Sequence, residues 1–103
     1  MASRILKGDL VEVITGKYRG QRGRVLSVER EDDRVVVERI NIVKKHQKPN
    51  AQNRQGGIIE REAPLEMSNV MLVHKGERTR VGFRELDGVK RRWSVRHREV
   101  IDG

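Results

Sequence analysis

The sequence predicts a small all-β protein folded as a single domain over residues 1–103. Val and Ile dominate the apolar residues and favour strands, while Phe, Trp and Tyr occur once each. No segment keeps the 3.6-residue periodicity of an amphipathic helix long enough to predict one. A chain of this length can close one modest core and has little room for a deep catalytic cleft.

Three short strands are predicted near the start of the chain, at residues 9–14, 24–28 and 34–38. A loop with three glycines, residues 15–23 (the glycine loop), separates the first two, and an acidic turn at residues 31–33 separates the next two. Glycine accepts positive φ and lets another backbone come close, so this loop can be tight and can fit against a phosphate.

A basic hairpin arm is predicted at residues 44–57. Residues 40–43 read as a strand that runs into it, and Ile58 and Ile59 resume an apolar strand pattern after it. The arm itself is polar, basic and glycine-rich, with too few apolar residues to pack on a core. We therefore expect a partner to order it.

A second hairpin is predicted near the end of the chain. Residues 80–86 and 89–95 flank Asp87 and Gly88, the preferred pair for a two-residue type I′ turn. The register that follows pairs Leu86 with Val89, Glu85 with Lys90, Gly82 with Trp93 and Arg84 with Arg91.

The predicted pairing of Arg84 with Arg91 is unfavourable, because like charges directly opposed destabilise a sheet. A phosphate between the two guanidinium groups would relieve the repulsion. The pairing therefore suggests a phosphate site on this hairpin.

Basic residues outnumber acidic ones by 23 to 15, and the formal net charge is +8. The basic residues concentrate in three stretches. Residues 15–24 and 44–57 contain no acidic residue, and residues 74–98 contain nine basic and three acidic residues. Such segregation predicts a basic face that binds nucleic acid. A solvated charged surface that only aids solubility is the alternative, and it fits one cluster better than three.

The sequence lacks the motifs and spacings that are typical of enzymes and of cofactor or metal sites. It has no cysteine, its three histidines are not at metal-ligand spacing, and it contains no nucleotide-binding or nucleophile-elbow motif. We predict that the protein is not an enzyme and holds no cofactor or metal. The lack of a signal-like or membrane-spanning apolar run predicts a cytoplasmic protein with no membrane partner.

Four segments carry a family resemblance over nearly the whole chain. Residues 7–28 resemble a KOW motif, with Gly20 and Gly23 in place. The downstream blocks INIVKKHQKP, QGGIIEREAPLEMSNVML and TRVGFRELDGVKRR are similar to those of the bacterial-type large-subunit ribosomal protein twenty-four. The KOW motif alone is shared with transcription elongation factors, and the downstream blocks separate the two.

The resemblance implies an SH3-like barrel with its core at residues 4–43, the arm inserted at 44–57, and the remaining strands and C-terminal hairpin at 58–103. It also implies binding to large-subunit rRNA near its 5′ end, a role in starting subunit assembly, and a place near the polypeptide tunnel exit. The expected partners are this rRNA and neighbouring large-subunit proteins, with the chain a monomer within the ribosome in the cytoplasm.

The expected RNA contacts fall in three groups. The resemblance implies contacts around the glycine loop at Lys7, Lys17, Arg19, Arg22 and Arg24, and in the arm at Lys44, Lys45, His46, Lys48 and Arg54. The third basic stretch adds Arg80, Arg84, Arg91 and Arg92. Tyr18 is the one aromatic residue placed to stack on a base, and packing within the turn is an equal alternative for it.

One departure from the family bears on metal binding. Some members carry Cys-x-x-Cys pairs near the positions held here by residues 74–77 and 94–97. This chain has His74 and His97 there and no cysteine, so a zinc-stapled region is not expected. We interpret both histidines as surface turn residues.

Two rival functions stay open on the sequence. The first is an RNA-binding KOW module of a transcription or translation factor. The second is a peptide-binding SH3-type adaptor, which three aromatic residues in the whole chain disfavour.

Overall fold

The structure, a computed structural model, describes residues 4–47 and 57–102 and contains strands joined by turns. One turn of 3₁₀ helix, Met67–Asn69, precedes β7. The strands are β1 (Leu10–Val13), β2 (Arg22–Glu29), β3 (Arg34–Val37), β4 (Ile42–Gln47), β5 (Gly57–Glu62), β6 (Leu65–Glu66), β7 (Val70–His74), β8 (Glu77–Thr79), β9 (Val81–Leu86), β10 (Val89–Ser94) and β11 (Glu99–Val100). The all-β prediction is confirmed.

A six-stranded antiparallel sheet in the order β6-β3-β2-β1-β7-β8 holds the core. Its inner face is almost entirely aliphatic and mostly β-branched, as the composition predicted. The buried side chains are Ile5, Val11, Val13, Val25, Val35, Val37, Ile40, Val70 and Leu72. The sheet therefore draws on both halves of the chain and extends well beyond the predicted core at residues 4–43.

The middle of the sheet is shaped by a β-bulge and a glycine. The register of β2 against β3 shifts between Val25 and Ser27, which inserts one extra residue and increases the local twist. Gly23 lies on β2, and a Cβ there would approach the Glu38 carbonyl oxygen and Val37 Cγ1 to 2.8 Å each. The predicted glycine loop thus ends early, because Gly23 serves close strand packing and not the turn.

The strands at the base of the arm form a separate two-stranded sheet. β4 and β5 pair from Ile42 with Glu62 to Gln47 with Gly57. The ladder begins two residues before the predicted arm and continues five residues beyond it, since residues 42, 43 and 58–62 also pair. The predicted arm's tip, residues 48–56, lies outside the described residues.

A three-stranded sheet in the order β11-β10-β9 closes the chain. Asp87 and Gly88 both have positive φ, 51° and 78°, as a type I′ turn requires. All four predicted cross-strand pairs, including Arg84 with Arg91, are present in the β9–β10 register. The predicted turn and register are confirmed, and the two strands are each one residue shorter at their outer ends than the predicted residues 80–86 and 89–95.

Arg92 on β10 joins this C-terminal sheet to the start of the chain. Its side chain is 7% exposed, and its guanidinium donates to both carboxylate oxygens of Asp9 and of Asp102 at 2.6–3.1 Å and to the Arg4 carbonyl at 3.0 Å. These contacts use all five N–H donors of the group. Hydrogen bonds from Arg92 hold the pKa of Asp102 below its ordinary value.

The burial and the occupied donors of Arg92 argue against the predicted RNA contact of this residue. A buried guanidinium with every donor occupied has nothing left to offer a phosphate. Freeing it would leave the carboxylates of Asp9 and Asp102 without their partner.

The Gly23 packing predicts a selective loss of stability. Gly23→Ala should lower the free energy of unfolding by roughly 1–3 kcal/mol, because the backbone carbonyl of Glu38 and the side chain of Val37 must move to admit the methyl group. Urea unfolding measures the change.

Gly82→Ala is the matched control, since a Cβ at Gly82 would meet only Val95 Cγ2 at an ordinary 3.7 Å. It should shift the same free energy by less than about 1 kcal/mol. Equal losses in the two variants would contradict the close-packing role of Gly23.

Candidate nucleic-acid interface

Four arginines lie on the outer face formed by strands β2, β1, β7 and β8, two of them on β2, one on β8 and one at the first residue past β8. Directly paired residues of a sheet point to the same side, and Val11 pairs inward with Gly23 and Leu72, and Leu72 with Thr79. The alternate positions therefore point outward, and the arginines among them are exposed. We call this set, Arg22, Arg24, Arg78 and Arg80, the arginine face.

One glutamate orients two members of the arginine face. Glu12 on β1 accepts from Arg22 Nε at 2.9 Å and from Arg78 Nη1 at 3.4 Å, and its own side chain is only 14% exposed. Arg24 donates to the Gly8 carbonyl at 3.3 Å. Arginines fixed in this way lose less conformational entropy when they bind a phosphate.

Arg78 was not among the predicted contacts, although it lies in the third basic stretch. Its place on the arginine face depends on the β7–β8 pairing, which brings residue 78 beside β1. A hairpin prediction over residues 70–79, centred on the Lys75-Gly76 turn, could have found it.

The glycine loop lies at one end of the arginine face. Gly16 and Gly20 have positive φ, 85° and 88°, and Lys17 and Arg19 between them are exposed, as is Lys7. The Gly20 N–H donates to the Val13 carbonyl at 2.8 Å, which closes the loop on β1. Three of the predicted cations are thus available at the surface.

Tyr18 in the same loop packs against the hydrophobic core and is partly buried. Lys17 Nζ lies 5.6 Å from the centre of its ring. The geometry favours the turn-packing alternative, since the core already covers part of the ring.

Of the RNA contacts predicted in the arm, only Lys44 has a described side chain. Lys44 is exposed and lies 3.7 Å from Glu60 across the ladder. Lys45 and His46 are on β4, where only their backbone is described. Lys48 and Arg54 lie outside the described residues.

The opposed Arg84 and Arg91 find partners within the chain. The Arg84 guanidinium lies 5.3 Å from the centre of the Trp93 ring and donates to the Phe83 carbonyl at 3.3 Å. Arg91 is half-buried and donates to the Asp102 carbonyl at 3.3 Å. The pairing thus does not by itself require an anion, and a phosphate at this position stays a prediction.

The two C-terminal histidines are not the surface residues that the sequence suggested. Their rings meet edge to face at 5.0 Å, and the side chains of His74 and His97 are 16% and 15% exposed. His74 Nε2 lies 2.8 Å from Glu99, and His97 Nδ1 lies 2.8 Å from Ser94 Oγ. Hydrogen bonds, first from Lys75 and then from His74, lower the pKa of Glu99. The burial follows from contacts of β7 with the β10–β11 turn and with β11, which local sequence does not reveal.

Neither a metal site nor a membrane span is found in the described part of the chain. No group of three or more His, Asp or Glu side chains within it could hold a metal ion. No helix in residues 4–47 and 57–102 is long and apolar enough to cross a membrane.

Two family models cover almost the whole chain. The KOW motif matches residues 7–38, and the C-terminal domain of large ribosomal subunit protein uL24 matches residues 40–101. The KOW match agrees with the all-β fold described above and confirms the predicted SH3-like fold class. The fold and the motif define a basic KOW-type β-barrel protein.

Full-length relatives make the assignment specific. Large ribosomal subunit protein uL24 of Thermosipho melanesiensis is 54% identical over 105 aligned positions, which cover 99% of each chain. The proteins of that name from Thermotoga neapolitana and Enterococcus faecalis are 53% and 51% identical and are covered to 98% and 97%. This chain belongs to the uL24 family of large ribosomal subunit proteins.

Membership of the uL24 family bears on the predictions of enzyme status and location and on the two rival functions. The family consists of structural ribosomal proteins and not of enzymes, and its members are components of the cytoplasmic ribosome. The uL24 C-terminal domain separates the chain from a KOW module of a transcription or translation factor and from an SH3-type adaptor.

Trp93 offers a direct test of the phosphate predicted at Arg84. It is the only tryptophan of the chain, and the Arg84 guanidinium lies against its ring. A phosphate that pairs with Arg84 should change the Trp93 emission when large-subunit rRNA is added, and Arg84→Ala should weaken rRNA binding and lower its salt dependence. Unchanged emission at saturating rRNA, with the affinity of the variant intact, would exclude the contact.

Proposed function

We propose that this chain binds large-subunit rRNA near its 5′ end, helps to start subunit assembly, and lies near the polypeptide tunnel exit of the mature particle. The arginine face is the observation that carries the RNA-binding part. The positions on the rRNA and in the particle rest on the family resemblance. Neighbouring large-subunit proteins are the further partners, and the chain acts as a monomer within the ribosome.

Charge distribution supports the proposed surface. Arg22, Arg24, Arg78 and Arg80 on the arginine face, with Lys17 and Arg19 in the glycine loop, are all exposed, whereas Glu12 is the one acidic outward position within the paired stretches of β1 and β2. Other acidic side chains lie around the β2–β3 turn, at the other end of the sheet from the arginine face. A phosphate backbone that approaches the arginine face therefore meets a net positive field.

The mode of recognition follows from the side chains available. Lys and Arg neutralise phosphates and release counterions, so affinity should fall steeply with salt. Tyr18 packs on the core and Trp93 is covered by Arg84, which leaves little aromatic surface for base stacking. Recognition is then mainly of the shape and backbone of the rRNA, with specificity from its unpaired loops.

Transcripts of the two halves of large-subunit rRNA test the proposal. The full chain should bind the 5′ half tighter than the 3′ half by on the order of tenfold or more at physiological salt. Filter binding over a range of salt concentrations measures both affinity and salt slope. Equal affinity for the two halves would contradict specific binding near the 5′ end.

Two arginine variants locate the contact. Arg24→Gln removes an exposed cation from the arginine face and should reduce the slope of log affinity against log salt by roughly one. Arg34→Gln is the matched control, because Arg34 is also exposed on a strand but pairs across from Glu29 and Glu66. A larger effect at Arg34 than at Arg24 would move the interface to the other end of the sheet.

A further inference from the structure

A small cleft opens where the arginine face meets the end of β10. Its volume is about 210 Å³, and its lining residues are Met71, Arg78, Arg80, Val95 and Arg96. That space equals roughly seven water molecules and is smaller than the usual 300–1,000 Å³ of a small-molecule pocket. The cleft can therefore admit one ring-sized group, and the rest of a larger ligand would lie outside it.

The cleft is formed where the end of β8 meets the end of β10, and several hydrogen bonds hold the two together. The Val95 N–H donates to the Arg80 carbonyl at 3.2 Å, which places the end of β10 beside the end of β8. Thr79 Oγ1 accepts from Ser94 Oγ at 3.0 Å and from the Arg96 N–H at 3.1 Å. The side chains of Thr79 and Ser94 are buried. The walls are thus fixed by buried contacts.

Three guanidinium groups surround the cleft, and two of them are already oriented. Arg78 is held by Glu12 at 3.4 Å, and Arg96 Nη2 lies 2.6 Å from Glu77. Arg80 is exposed and, among the described residues, has no carboxylate within ion-pair distance. An anion should therefore bind most favourably at Arg80, because Arg78 and Arg96 already have carboxylate partners.

The floor of the cleft is apolar. Met71 is partly buried, and Val95 is 50% exposed although it adjoins a buried serine. An exposed apolar surface ringed by cations suits a ligand with both an anionic group and a flat apolar face.

We infer that this cleft binds one unpaired nucleotide of the RNA, with its phosphate on Arg80 and its base against Met71 and Val95. The inference rests on the proposed RNA binding and names a site for it. Unpaired bases of RNA commonly lie on apolar side chains and guanidinium planes while arginines hold the backbone. An acidic protein side chain would pair with Arg80 but leave Met71 and Val95 uncovered.

Methionine methyl groups report directly on this site. The chain has three methionines, of which Met71 lines the cleft and Met67 packs against the core. In the full chain labelled at its methionine methyls, a short single-stranded oligoriboadenylate should shift the Met71 signal upfield through the ring current of a base. The Met67 signal should stay in place, and the same strand paired with oligouridylate should not shift Met71.

Paired substitutions separate the phosphate from the base. Arg80→Gln should weaken oligoriboadenylate binding roughly tenfold and lower its salt slope by about 0.7. Val95→Ser should weaken binding while the salt slope is unchanged, because it removes apolar contact and no charge. Arg34→Gln is again the control and should alter neither quantity.

Three results would overturn the inference. One is oligoriboadenylate that does not bind, or that binds without a shift at Met71, while the chain still binds rRNA; the proposed function would then stand without this site. Another is polyglutamate that displaces oligoriboadenylate and abolishes the Met71 shift at equal or lower concentration, which would assign the cleft to an acidic protein segment. The third is an Arg80→Gln variant with unchanged affinity.

Discussion

The buried guanidinium of Arg92 holds together parts of the chain that are more than eighty residues apart. Transferring a charge from water into a protein is costly, and the cost is offset only when opposite charges and hydrogen bonds satisfy the whole group. Asp9, Asp102 and the Arg4 carbonyl do so for every N–H of Arg92. Because the arrangement needs all three partners at once, it fixes β10 against both ends of the described chain.

The surface of the molecule depends on this joint and on the buried Thr79–Ser94 contact. Together they set the C-terminal sheet against the six-stranded sheet, so that Val95 and Arg96 lie beside Arg80. The arginine face itself would exist on the six-stranded sheet alone, since its register depends only on β2, β1, β7 and β8. The cleft at its edge exists only when both sheets are in place.

The arginines of this chain thus divide into two kinds, and the carboxylates around them make the difference. Arg92 has two carboxylates and stabilises the fold, whereas Arg80 has none within residues 4–47 and 57–102 and is available to a ligand. Arg22 and Arg78 share Glu12 and lie between these extremes, oriented but still exposed.

Local features of the sequence predicted local structure well. The first three strands and the β9–β10 hairpin follow from β-branched patterning and from Asp87-Gly88, where turn chemistry alone fixes the register. Features set by distant contacts were missed or misassigned. The role of Gly23 depends on how closely β3 approaches β2, and the burial of His74 and His97 depends on β7 meeting the β10–β11 turn and β11.

The same difference between local features and features set by distant contacts applies to the candidate site. Basic stretches pointed to the glycine loop, where Lys17 and Arg19 are exposed, but residue type could not distinguish the buried Arg92 from its half-buried neighbour Arg91 or reveal that Arg78 joins the arginine face. Only tertiary contacts across the sheets decide which cations are neutralised.

Amide hydrogen exchange in an Arg92→Met variant tests most directly whether Arg92 fixes the C-terminal sheet. Breaking a buried ion pair costs about 3 kcal/mol, so the amides of β10 and β11 should exchange on the order of a hundredfold faster. Those of β1 and β2 should change less. Unchanged protection of β10 and β11, together with weakened rRNA binding, would contradict the account and restore Arg92 to the RNA interface.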